Sequence, residues 1–208
     1  SSEVAKGTAE PGKEISTDVT VDEGVVNFIV ILNNEAGKGP RAKVSIYAGN
    51  DTPDIVDSLT LTLNDAGLAT VTWKAPTGGM HNGYLGQLTY DVFRNVGGKS
   101  EKVSSGQTAT QFSETITKGK LSSYSYSVQA INSTKKSALA TTDGKIYGNA
   151  LEAPFFDDFT TQESSKLYTI IDANQDNSTW YWSNSKGGVF KCKYHSKNHG
   201  DDWLITPP

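Results

Sequence analysis

Apolar and polar residues alternate with a period of two along much of the chain. In "STDVTVDEG" Val19 and Val21 share a face, and in "LTLTL" Leu59, Leu61 and Leu63 do the same. "ATVTW" adds Val71 and Trp73, and "TYDVFR" adds Tyr90 and Val92. Successive side chains of a strand point to opposite faces, so each run predicts a half-buried β-strand. Clusters rich in Gly, Asn, Asp and Pro punctuate them: "NNEAGKGP", "AGNDTP", "APTGGMHNG" and "NVGGKS". These supply the turn chemistry that strands of this length need. No stretch carries the 3.6-residue period of an amphipathic helix, and "TKGKLSS" reads as a loop. The expected fold class is all-β.

The alternation also repeats at long range. The order aromatic-x-Val-x-small/apolar-x-Asn occurs as Phe28, Val30, Leu32, Asn34 and again as Tyr126, Val128, Ala130, Asn132, 98 positions on (126 − 28). Tyr47 and Tyr147 lie 100 apart (147 − 47), and Pro53 and Pro154 lie 101 apart (154 − 53). A period near 100 residues is too long for a solenoid and is the usual size of a β-sandwich domain. The expected division is residues 1–48 as the back half of one sandwich, 49–150 as a whole one, and 151–208 as the start of something else. On this reading the chain is an excerpt of a longer protein. Its half-sandwich is expected to be disordered, docked on its neighbour, or completed by strand exchange with another chain.

Composition narrows the picture further. The chain has 208 residues with 36% hydrophobic and 20% charged, so it can bury one large core or two ordinary ones. A net charge of −4 gives no basic surface for nucleic acid. Nine Tyr and four Trp beside one Met suit pleated surfaces better than helices. One cysteine, Cys192, excludes an internal disulfide framework. No apolar run approaches the length of a membrane span, and the N-terminal residues do not read as a signal peptide.

Residues 55–147 resemble a fibronectin type III domain. "ATVTWKAP" resembles its B strand, with Trp73 as the core tryptophan and Pro76 ending the strand, and "LTYDVFR" resembles strand C, with Tyr90 and Val92 inward and Arg94 outward. "LSSYSYSVQAIN" resembles the E–F corner and strand F, with Leu121 five residues before Tyr126. The resemblance implies a Tyr126 ring in the core whose hydroxyl caps backbone upstream. Phe28 stands in the tyrosine's place in residues 1–48 and cannot make that bond. Residues after Pro154 resemble instead the front of the cleaved-adhesin (gingipain adhesin-like) jelly-roll family, on Phe155, Phe159, Asp172, Asp176, Trp180 and the run "DDWLITP". The fold expectation is therefore tandem immunoglobulin-like sandwiches plus a partial jelly roll.

Candidate chemistry is sparse. "DANQDNS" places Asp172, Asn174 and Asp176 at alternate positions, an oxygen-donor spacing that suits calcium, with Asp157 and Asp158 able to join. The sixth position is Asn177 and the twelfth Ser183, so this is no EF-hand, and a turn rich in Asn and Asp explains it equally well. Cys192, His195 and His199 have a zinc-like spacing, but alternation with Lys191 and Lys193 makes Cys192 an inward, structural thiol. Trp180 and Trp182 share a face and suit either a sugar platform or a sandwich core. His81 and Tyr84 lie in the long loop 76–86, where end loops of sandwiches bind partners. Asn50, Asn132 and Asn177 each open an Asn-x-Ser/Thr triplet, which would mark surface loops in a glycosylating host.

No phosphate-binding Gly loop, Ser-His-Asp order or carboxylate dyad stands out. Both resemblances imply a non-catalytic, secreted or bacterial cell-surface protein whose sandwiches space and present a domain binding an extracellular glycan or host protein. The competing expectation is an accessory region of a secreted peptidase or glycoside hydrolase. Calcium is the one cofactor implied.

Overall fold

The computed structural model describes residues 3–8 and 10–207. The first ladder joins β1 (Gly24–Asn34) to β2 (Gly37–Ala48) as a long antiparallel ribbon. Two sheets follow. The smaller orders β3 (Asp57–Leu63), β4 (Leu68–Lys74) and β7 (Gln111–Thr115). The larger is built on β5 (Thr89–Val96), β6 (Lys99–Gln107) and β8 (Ser122–Asn132), with three fragments, β9 (Lys135–Lys136), β10 (Ala140–Thr141) and β11 (Lys145–Tyr147), along the far edge of β8.

The period-two residues close the space between these sheets. Ala69, Val71 and Trp73 from β4 meet Tyr90 and Val92 from β5 and Tyr126, Val128 and Ala130 from β8, all buried. Trp73 and Tyr90 pack edge to face, ring centroids 5.3 Å apart, the arrangement that aromatic quadrupoles favour. The β8 edge fragments are joined by side chains where the ladder breaks. Ser137 Oγ accepts from Ala130 N–H at 3.0 Å and Thr142 Oγ1 from Tyr126 N–H at 3.1 Å, so buried peptide donors stay satisfied.

Tyr126 departs from the expected corner. Its ring is wholly buried, but its hydroxyl donates to Glu114 Oε1 at 2.6 Å rather than to upstream backbone. Glu114 Oε2 in turn accepts from Arg94 at 2.8 Å. Burial, and then the adjacent carboxylate, push the Tyr126 phenol up from its ordinary value, which keeps it a donor.

The two hairpins 98 residues apart share their geometry. Asn34 pairs with Gly37 and Asn132 with Lys135, so each turn spans two residues. Each ribbon then slips by one residue, between Asn33 and Ile31 in the first and between the Ile131–Lys136 and Val128–Ala140 pairs in the second. Their packing differs. Tyr126 is buried between two sheets, whereas Val30, Leu32, Val44 and Ile46 on the Phe28 face of the ribbon are exposed.

Residues 151–207 form two short antiparallel ladders. One pairs β12 (Thr169–Asp172) with β15 (Asp202–Ile205), the other β13 (Trp180–Ser183) with β14 (Val189–Cys192). Phe159, Tyr168 and Phe190 cluster with centroids 5.2 to 5.6 Å apart. A one-turn helix, α1 (Gln162–Ser165), is capped by Thr161. One turn is too short to show a period, so alternation could not reveal it.

Two strand expectations fail. Val19 and Val21 lie outside any strand, since among the described residues no segment pairs with their backbone. Cys192 is exposed. It ends β14 opposite Trp180, on a two-stranded ladder too narrow to bury both faces.

Tyr126→Phe keeps the ring and removes the bond to Glu114, so it should cost about 1–2 kcal/mol of unfolding free energy. Urea denaturation checks this; an unchanged midpoint would show the bond to be energetically idle.

Candidate functional site

A constellation of titratable groups lies where the β1–β2 ribbon meets the sandwich. Asp51 sits in the link between them with no solvent exposure. Its Oδ1 accepts from Thr52 N–H at 2.8 Å and faces His81 Nδ1 at 2.9 Å. Its Oδ2 accepts from His81 N–H at 2.7 Å and Gly83 N–H at 3.0 Å. Burial alone would raise this carboxyl; the His81 side chain and the backbone donors of Gly83, His81 and Thr52 outweigh it and hold Asp51 well below the usual range.

Local sequence explains the donors. The "TGGMHNG" run is bent enough to turn the N–H groups of His81 and Gly83 toward Asp51 Oδ2. At Gly83 a Cβ would come within 2.7 Å of the Tyr47 ring, and at Gly79 within 2.8 Å of the Thr52 carbonyl oxygen, so both positions need glycine for close approach. The link is pinned from the other side by Asn132. Its Nδ2 donates to Asp51 O at 2.8 Å and Tyr84 O at 3.2 Å, and its Oδ1 accepts from Gly86 N–H at 3.3 Å. Asn132 is buried, so its glycosylation triplet is not a surface loop.

The ribbon docks on this frame. Tyr47 stacks on His81 with centroids 4.5 Å apart and planes 9° from parallel. Lys135 Nζ lies 4.9 Å above the Tyr47 ring, donates to its hydroxyl at 2.7 Å and to Asn50 O at 2.6 Å, and pairs with Glu23. Lys135 is held above its ordinary value by the Glu23 and Tyr47 hydrogen bonds. So His81 is an architectural residue here, and Tyr84, 68% exposed, presents its ring to solvent while its carbonyl holds the link.

The other sequence candidates lie elsewhere. Asp172 accepts from Asp176 N–H at 3.2 Å and Asn177 N–H at 2.9 Å. Asp176 accepts from Ser178 N–H at 2.8 Å, Asn198 Nδ2 at 3.2 Å and Asn174 Nδ2 at 3.3 Å. Asp157 and Asp158 accept from Phe159 N–H at 2.9 Å and Thr160 N–H at 3.1 Å. Asp157 Oδ2 is buried without a hydrogen-bond partner, while the other oxygens named here accept from N–H donors; among the described residues no three His, Cys, Asp or Glu side chains converge at metal-binding spacing. Asp157, Asp158 and Asp176 each accept from the N–H two residues on, the pattern of an Asx turn.

Trp180 and Trp182 are half-buried, their indole N–H groups donating to Asp202 O at 3.3 Å and Phe159 O at 2.8 Å. Tyr181, on the opposite face, and Trp203 are exposed at 40% and 59%. Alternation separates the two faces of "TWYW" but cannot say which one a neighbouring segment covers.

Three strands facing a larger sheet, with a Trp73–Tyr90–Tyr126 core, make a two-sheet β-sandwich of immunoglobulin-like architecture. No protein-family model matches the chain, and no curated protein matches it. Solved structures similar to it include titin kinase with its flanking domains (20% identity, TM-score 0.40, covering 47% of this chain and 17% of that one). Others are domains d3–d4 of the rat CD45 extracellular region (14%, 0.39, 72% and 78%) and the FN1–FN3 domains of chicken CNTN1 (16%, 0.40, 64% and 46%). The chain thus spans less than half of two of these three. At such scores none of them lends this chain a ligand or an activity.

Two outcomes test the site. Because Asp51 is depressed in the folded state, its contribution is present above its unfolded value of 3.8 and is lost as pH falls below it. Asp51→Asn should lower the melting temperature at pH 7 and flatten its fall below about pH 4; a parallel fall in both proteins would remove Asp51 from the linkage. Calcium at about 5 mM, above the weak extracellular binding range, should leave the melting curve where a chelator leaves it.

Proposed function

We propose that the chain is a non-catalytic run of β modules that holds a binding surface at a set distance and orientation outside the cell. The joint carries this reading. A buried carboxylate, an aromatic stack and a three-way lysine contact fix the ribbon on the sandwich, where a simple tether would need only a polar linker. The His81–Asp51 pair supports the non-catalytic reading, since Asp51 and Tyr47 occupy His81 in building the joint.

Binding to a glycan or host protein would fall to exposed aromatic surfaces such as Tyr84, Tyr181 and Trp203. The ribbon's apolar face, with Val30, Leu32, Val44 and Ile46 open, suits completion by strands of another chain. The bacterial surface location and the jelly-roll character of residues 151–208 rest on sequence resemblance alone. Among the described residues no helix is long and apolar enough to cross a membrane.

Residual dipolar couplings test the joint. Amides of β1–β2 and of β4, β5 and β8 should fit one alignment tensor, and Tyr47→Ser with Lys135→Ala should split them into two. Two tensors in the unaltered protein would overturn the spacer reading.

A further inference from the structure

We propose that the outer face of the larger sheet, at the end beside α1, is a binding site for an acidic saccharide, a sugar bearing a carboxylate or sulfate. A cleft of about 510 Å³ lies there, between the β5–β6 turn and α1. That volume falls within the range of small-ligand sites.

Strand register builds its floor. Ser100 faces Asn95 across β6 and β5, and Asn95 faces Ser125 across β5 and β8. Ser123 follows two residues along β8, on the same face. The floor is therefore a row of hydroxyls and an amide on rigid strands, needing little ordering when a ligand arrives. Asn95 donates its Nδ2 to Ser127 Oγ at 2.8 Å, which leaves its carbonyl oxygen for the cleft. The hydroxyls of Ser100, Ser123 and Ser125 join no side-chain hydrogen bond among the described residues. Each can both donate and accept, the pairing that sugar hydroxyls require.

The rim supplies the sign. Lys99 and Lys166 line the mouth with one acid, Glu163, which pairs with Lys166 at 2.8 Å. Lys99 has no ion-pair partner among the described residues, so the cleft is locally positive on a chain of net charge −4. Gly97 and Gly98 form the turn at φ +56° and +73°, and without side chains they leave the mouth open. No aromatic residue lines the cleft. Neutral sugars are held largely by stacking on aromatic faces; an anionic sugar can instead use charge-assisted hydrogen bonds. This site goes beyond the spacer reading and does not depend on it, because loosening the joint leaves these strands unchanged.

The test is amide chemical-shift mapping on the whole chain with glucuronate, and with glucose and inorganic sulfate as parallel probes. Glucuronate should shift the amides of residues 97–100 and 123–125 with millimolar affinity, and neither control should match it at equal concentration. Lys99→Gln, on an exposed turn, should weaken binding about fivefold, as should Ser125→Ala on the floor. Melting curves on both variants separate lost binding from lost folding. No localised shift would overturn the proposal. So would sulfate matching glucuronate, meaning an adventitious ion only, or glucose matching it, meaning no role for the charge.

Discussion

A carboxylate with no access to water must be surrounded by donors, and that constraint at Asp51 organises the end of the sandwich. Both Asp51 oxygens are met by groups from residues 52, 81 and 83, so the loop 76–86 has to fold back over the link. Once His81 is turned toward Asp51, its ring offers a flat face on which Tyr47 lies. Lys135 then finds Glu23, the Tyr47 hydroxyl and Asn50 O within reach of one ammonium. Each contact presupposes the one before it. Such networks are stiffer than their members taken singly.

A second polar network steadies the interior. Tyr126, Glu114 and Arg94 tie β8, β7 and β5 together at the edge of the core, with Glu101 of β6 accepting from Arg94 Nη2 at 2.7 Å. The outer face of the larger sheet is left polar and only partly spent. Asp91 is closed off there by Lys102 and Ser105, while the Ser100–Asn95–Ser125 row stays open. The two polar sets thus sit on opposite faces of the same strands.

The fold was legible in the sequence because period-two alternation states which residues a strand buries. Leu61, Val71, Trp73, Tyr90, Val92, Tyr126 and Val128 all face the core. The two hairpins that carry the repeated residues share a two-residue turn and a one-residue slip, which the structure alone supplies. Alternation misled at Val19 and Val21, and at Cys192, because pattern shows that a segment can pair and bury a face but not that a second layer arrives. The candidate site was half legible. His81 and Tyr84 were picked out as loop residues, but Asp51, Tyr47, Lys135 and Asn132 carry no motif that joins them.

What the sequence alone determined is the inward faces of the sandwich strands β3, β4, β5 and β8, which follow from the fixed geometry of an extended backbone. What tertiary structure decided is where polar side chains are spent. Asp51 meets His81 across 30 residues and Glu23 meets Lys135 across 112. Tyr126 chooses Glu114 over backbone for the same reason. A hydrogen bond depends on angstrom-scale placement of two groups, and only the closed sandwich brings groups so distant in sequence to that spacing.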